Sequence, residues 1–263
     1  MARRRKHRLK TLGTEVGGIY RGVFHVYRFW WTEILLLSLI IFVPLGLLDA
    51  ADSSALDSIH STHDFRFIAL AAGALIITAT SMLGEVFLAG AVGLSLSHAR
   101  DGRPPALRFI ARRLNYGRLI AIDLSYVLIV AIGLVLLVIP GIAALVYLSL
   151  AGPVAETEDR RYRASFKRSF HLIRGNFWLV FWVIFPIEIL GGAIQNGLES
   201  ALDFLFGESF VVLGLTEALA NVALSPLFAI AVVLLTRRLV LFKDGHRLEG
   251  PDPQELRAFR SPA

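Results

Sequence analysis

Five carboxylates stand inside long apolar runs of this 263-residue chain, short of the last residue of each run: Glu33, Glu85, Asp123, Glu188 and Glu217. None of those runs contains Lys or Arg. A bare carboxylate at the middle of a bilayer costs on the order of 2.5–3.5 kcal/mol even on insertion scales. Each acid must therefore be protonated, hydrogen-bonded, hydrated or close to an interface. Glu33 and Asp123 fall just inside the basic ends of their runs, near Arg28 and Arg118. Snorkelling toward those cations accounts for them. Glu85 falls near the middle of its run, and Glu188 and Glu217 in the far halves of theirs, which also carry Gln195 and Asn221. Glu85, Glu188, Glu217 and Asn221 are thus the candidate polar site within the membrane. Glu85 and Glu217 are expected to line one cavity that binds a cation, a proton or a polar lipid head group. The competing reading is hydrogen bonding between helices, with no ligand.

Other chemistry is poorly supplied. The chain has no Cys, which excludes thiolate nucleophiles, disulfides and thiolate metal sites. His60 and His63, flanked by Asp57 and Asp64, have metal-like spacing. No rigid frame surrounds them, so a solvated loop is the better reading and no metal is expected. Zinc-protease, P-loop, dinucleotide and nucleophile-elbow motifs are all absent. No catalytic residue and no cofactor is assigned, and the chain is not expected to be an enzyme.

The elements that must position the acids are the apolar runs themselves: 29–49, 67–97, 119–139, 141–156, 177–196 and 210–236. Most are close to the ~20 residues that cross a hydrocarbon core of ~30 Å, and the second is longer. Hydrophobic residues make up 55% of the chain and charged residues 18%, below the roughly 25% usual for soluble domains. Of the 27 Lys and Arg residues, all but Arg66 fall on one side when the N-terminus is placed in the cytoplasm. Positive segments translocate poorly, so that side is the inside. The fold class is an all-α polytopic membrane protein with six transmembrane helices and both termini cytoplasmic, in the cytoplasmic membrane. The net charge of +6 then points to anionic lipid head groups rather than nucleic acid.

Three amphipathic segments precede pairs of runs. Val16, Ile19, Tyr20, Val23, Phe24 and Tyr27 form the first stripe, and Trp30 and Trp31 mark the start of the first run. Leu107, Ile110, Ala111 and Leu114 form the second. Tyr162, Phe166, Ser169, Phe170 and Ile173 form the third. Each has the periodicity of a helix lying in the head-group plane. The chain reads as three copies of an interfacial helix followed by a transmembrane hairpin. A basic tail (1–15) precedes the membrane domain (16–242), and a flexible tail (243–263) comes after it. Ile139-Pro140-Gly141 is expected to reverse the second hairpin, and Pro44, Pro186 and Pro226 to kink their helices. Ala89, Gly93 and Ser97 recur every four residues and favour close helix packing over dimerisation.

Ile139-Pro140-Gly141-Ile142, Gly152-Pro153-Val154 with Glu156, Lys167-Arg168-Ser169, and Gly175-Asn176-Phe177-Trp178 follow one order. That order, over about 119–183, resembles the membrane domain found beside glycerophosphodiester phosphodiesterases and related uncharacterised six-span bacterial and archaeal membrane proteins. The resemblance implies a multi-span helical domain whose motif residues are structural. The phosphodiesterase activity belongs to a separate soluble barrel, which has no counterpart here. Glu156 is expected to pair with Arg168 or a neighbour on the third interfacial helix. The leading functional expectation is a non-catalytic module that binds or transports a lipid-like or small polar solute. The alternative is a scaffold or anchor that engages a protein partner, a second copy or anionic lipid through its basic face. An accessory role in glycerophospholipid metabolism rests on the resemblance alone.

Overall fold

The computed structural model describes residues 2–57, 83–100, 103–206 and 210–250, with side chains over 12–45, 83–100, 103–198, 200–201 and 219–250. Among them every regular element is a helix: α1 (Ala2–Phe29), α2 (Trp31–Asp57), α3 (Glu85–Ser97), α4 (Leu107–Arg113), α5 (Tyr116–Leu136), α6 (Val138–Leu148), α7 (Ala151–Thr157), α8 (Tyr162–Ile173), α9 (Phe177–Phe206) and α10 (Phe210–Asp244). Four segments are long and apolar enough to cross a membrane: Tyr116–Leu136, Val138–Thr157, Phe177–Leu198 and Leu219–Asp244. A fifth candidate is the pair Leu12–Phe29 and Trp31–Leu45, whose halves meet at 87°. Residues 67–82 of the long second run lie outside the described residues. The remainder of that run corrects the expectation of one unbroken helix. Leu83 and Gly84 form a turn, and α3 begins afresh at Glu85 with 13 residues. At 1.5 Å per residue α3 is about 20 Å long, short of the ~30 Å core.

α10 is the central helix, packed against α1, α2, α3 and α9. It is 72% buried within the protein over its most apolar stretch, whereas α9 is 22% buried. The outer faces of α5 and α9 present large apolar side chains to the surroundings, among them Leu124, Leu128, Trp178, Ile189 and Leu190. Such continuous exposed apolar faces suit lipid and not water.

Small residues set the closest contacts. A Cβ added to Gly152 on α7 would collide with the Val86 carbonyl of α3. One added to Gly93 would press on Thr157 and Pro153. The small-residue row of α3 therefore serves packing against α7 within the chain. The second hairpin reverses elsewhere than expected. Leu137, with φ −157° and ψ 123°, separates α5 from α6. Pro140 sits in the first turn of α6, where its missing N–H matters little. Gly141 is needed for space, because a Cβ there would strike the backbone of Leu134. Only Gly175 of the motif glycines needs its conformational freedom: at φ +91° it ends the α8 turn, and the Asn176 N–H donates to the Ile173 carbonyl at 2.7 Å.

α1 runs back through the basic stretch to Ala2, so the basic tail is helical. Ile19, Val23 and Val26 are its buried row, continued by Trp30 at the break before α2. Trp30, expected at the aqueous border, is in the core, while Trp31 and Phe24 are exposed. The hydroxyls of α1 meet the prolines of the spans. Pro186 has no N–H to offer the Trp182 carbonyl. Tyr20 Oη donates to the carbonyls of Val183 at 2.9 Å and Trp182 at 3.2 Å. Tyr27 Oη donates to the Ala223 carbonyl at 3.0 Å, three residues before Pro226. Residues 245–250, assigned by sequence to a flexible tail, fold back on the bundle. Arg237 donates to the Gly250 carbonyl at 2.6 Å, and Leu248 packs on the core.

Tyr20→Phe is expected to destabilise the detergent-solubilised protein by about 1 kcal/mol. In a Pro186→Ala background the loss is expected to shrink, because the alanine supplies the Trp182 carbonyl with an intrahelical donor. A double-mutant cycle of thermal or denaturant unfolding measures the coupling.

Candidate functional site

The start of α3 is built around Asp123. Gly84 takes φ +95°, a left-handed turn that leaves the first amides of α3 pointing out of the helix end. Asp123, projecting from α5 and almost fully buried, accepts three hydrogen bonds: from Gly84 N at 2.6 Å, Val86 N at 3.0 Å and Phe87 N at 3.2 Å. Its charge faces the positive end of a helix, where an anion is favoured. The sequence reading of Asp123 as an acid snorkelling toward Arg118 is corrected. Arg118 turns away, to Glu156 at 2.9 Å and Asp159 at 2.8 Å. The missed signal was Gly84 beside Glu85 in a run too long for one span, which marks a helix break needing an acceptor.

The neighbouring residue, Glu85, is 7% exposed and lies beside Glu188 of α9 in the lining of one cavity. Glu85 Oε2 and Glu188 Oε1 are shut off from solvent with no hydrogen-bond partner among the described residues. Tyr126 of α5 is fully buried within electrostatic reach of both, its hydroxyl likewise unpartnered.

Both acids line a cavity of about 160 Å³ between α3, α9 and α10. Gln195, Asn221 and Ser225 supply further polar lining, and Ile187, Leu224 and Phe228 the apolar part. Gly191 and Gly192 leave one wall without side chains: a Cβ on either would meet nothing within 4 Å. Of the residues singled out from sequence, Glu85, Glu188 and Asn221 converge. Glu217 lies on α10, but its side chain is outside the described residues, so its expected meeting with Glu85 is not described. His60 and His63 are outside them too. Among the described residues no group of three or more His, Asp or Glu is arranged to hold a metal.

The motif residues gather elsewhere, round the basic end of the bundle. Pro153 opens α7 just after the α6–α7 break, and Ser169 Oγ donates to the Tyr147 carbonyl there at 2.7 Å. Glu156 pairs with Arg118 and not with Arg168. Arg168 instead binds Glu158, at 3.0 Å, and Asp244. Burial works against the Arg168 guanidinium, but its hydrogen bonds to Asp244 and Glu158 more than offset this and raise its pKa above the ordinary value. Lys243 Nζ donates to the His171 and Arg174 carbonyls at the end of α8. Pro140, Gly141, Gly175 and Asn176 serve the turns already described.

Asp123→Asn replaces an acceptor-only group with one carrying N–H donors of its own. At least one α3 amide then loses its partner, and stability is expected to fall by about 1.5–3 kcal/mol. Unfolding of the purified variant beside the wild type measures it.

No family model matches the chain, and no solved structure matches it. Over 164 residues the chain is 29% identical to a UPF0259 membrane protein of Pectobacterium carotovorum, a stretch covering 60% of this chain and 64% of that protein. The match thus spans less than two thirds of that relative's length. With the apolar helices above, this similarity makes the chain a multi-pass, all-helical membrane protein.

Proposed function

We propose that the chain is a non-catalytic membrane module that binds, and passes across the bilayer, a small polar or amphiphilic solute held between α3, α9 and α10. The observation that carries the reading is the cavity of about 160 Å³ touching both Glu85 and Glu188. Polar glue between helices would close the space between its groups, whereas here both acids line an open cavity. Intramembrane acids are functional candidates by default, and helices broken at depth favour binding sites in transporters. In this reading the chain makes six spans in the cytoplasmic membrane, with both termini inside. α1, α4 and α8 then lie along the inner leaflet. The right angle between α1 and α2 supports that placement.

A second reading concerns the inner face. Arg108 and Arg112 on α4 are exposed, beside exposed Phe109. That combination suits anionic lipid head groups, with the scaffold role as its extension to a protein partner or second copy. The likeness of residues 119–183 to glycerophosphodiesterase-linked membrane domains supports, at most, an accessory part in handling glycerophospholipids.

Gly192→Leu tests the cavity while leaving both carboxyls in place. Protein extracted directly into lipid nanodiscs is expected to carry a bound small molecule detectable by native mass spectrometry, and the Leu variant is expected to lose it. A wild type with no bound species, or a variant that retains it, contradicts the reading.

A further inference from the structure

α8 has two opposite faces. Ser165, Ser169, Leu172 and Ile173 are buried against the bundle. Arg163, Lys167 and Phe170 are exposed on the other side, and exposed Arg174 continues the row at the helix end. Their spacing alternates between four and three residues, which puts them in one narrow stripe opposite the buried row. Glu158 and Asp244, which meet α8, both bind Arg168 on its flank, so their charge is taken up away from the stripe. Lys243 Nζ, donating to the His171 and Arg174 carbonyls, brings a further cation to the foot of the stripe.

Phe170 joins this stripe to the lipid-facing side of α9. Its ring stacks on Tyr147 with centroids 4.6 Å apart, and Tyr147 meets Phe177 at 5.4 Å. From there Phe177, Phe181 and Phe185 stack along α9, at 6.0 and 4.6 Å. Trp178 and Trp182 stand edge-on to Phe181 and are 61% and 48% exposed. Residues 177–185 cover about 12 Å of helix axis. Beyond them, Ile189 and Leu190 extend the exposed apolar row.

A row of cations is thus continuous with an aromatic strip running inward from the head-group level. A free anion would satisfy the cations and leave the strip bare, and so would an acidic protein segment. A phospholipid satisfies both, because one molecule carries its phosphate at the interface and its acyl chains beneath. Net charge then selects among phospholipids. The choline of phosphatidylcholine would be brought against Lys167 and Arg174, whereas a head group of net negative charge is attracted there.

We infer that α8 and the start of α9 form a seat for one anionic phospholipid, its phosphate on Lys167 and Arg174 and an acyl chain along Trp178 and Phe181. This rests on the placement of α8 along the inner leaflet proposed above, and specifies which lipid that face takes.

The test uses the full chain in phosphatidylcholine vesicles that contain, at one low mole fraction, either brominated phosphatidylglycerol or brominated phosphatidylcholine. Bromine quenches indoles in contact with it, so fluorescence reports which lipid lies on Trp178 and Trp182. Brominated phosphatidylglycerol is expected to quench the wild type more strongly than brominated phosphatidylcholine. Lys167→Gln and Arg174→Gln are each expected to lower the preference for phosphatidylglycerol roughly fivefold, and the double variant to abolish it. Trp178→Phe is expected to lose most of the excess quenching, and Arg108→Gln on α4 to keep it. An excess that survives in the Lys167→Gln/Arg174→Gln double variant, or in Trp178→Phe, overturns the inference. So does an excess removed by inorganic phosphate but not by chloride at equal ionic strength, which would assign the cations to a free anion. Equal quenching of the wild type by the two lipids also overturns it, leaving the stripe to an acidic protein partner while the membrane placement stands. No quenching by either lipid overturns the placement as well. Quenching by brominated phosphatidylcholine and circular dichroism, retained in each variant, separate a lost seat from a lost fold.

Discussion

Three backbone amides held by one carboxylate decide how this bundle is arranged. A helix that begins inside an apolar medium exposes N–H groups that neither water nor lipid can satisfy. Asp123 supplies acceptors to Gly84, Val86 and Phe87, and in return its own charge is held by the positive end of α3. Each would be costly alone at that depth. Together they fix where α3 starts and tie it to α5. The left-handed Gly84 and the flat Gly152 contact then set the angle and approach of α3. With that start fixed, Glu85 can only face α9, where Glu188 waits.

The same rule recurs among the described residues, where several helix irregularities are met by partners from other elements. Tyr20 and Tyr27 of α1 meet the carbonyls beside Pro186 and Pro226. Ser169 meets the carbonyl at the α6–α7 break before Pro153. At the basic end, Arg118 and Arg168 gather Glu156, Asp159, Glu158 and Asp244. The cavity stands apart: there two acids, Glu85 and Glu188, line open space between helices, and that singles it out as a site.

Several of these features were legible in the residues. An acid in an apolar run stands out by its cost, so Glu85, Glu188 and Asn221 were recognisable before their convergence was known. Charge asymmetry and run length likewise made a multi-pass helical protein readable. Asp123 was misread because sequence proximity offered it Arg118, and nothing in one chain reveals that Arg118 is committed to Glu156 and Asp159. Trp30 is buried and not at the aqueous border because a stripe wide enough for a head-group helix does not say which edge of it meets the bundle. Gly141 looked like a turn residue, but its requirement is space against Leu134, a contact that exists only once α5 and α6 are paired.

Asp123, by placing the start of α3, brings residue 85 against residue 188, and the rest of the site depends on that meeting. The absence of native cysteine gives a clean background for a proximity measurement. The Glu85→Cys/Glu188→Cys double variant, treated in membranes with a short thiol–thiol crosslinker, should join α3 to α9 efficiently, and adding Asp123→Ala should sharply reduce the yield. Failure to crosslink with Asp123 present, or equal yields with and without it, would contradict the account.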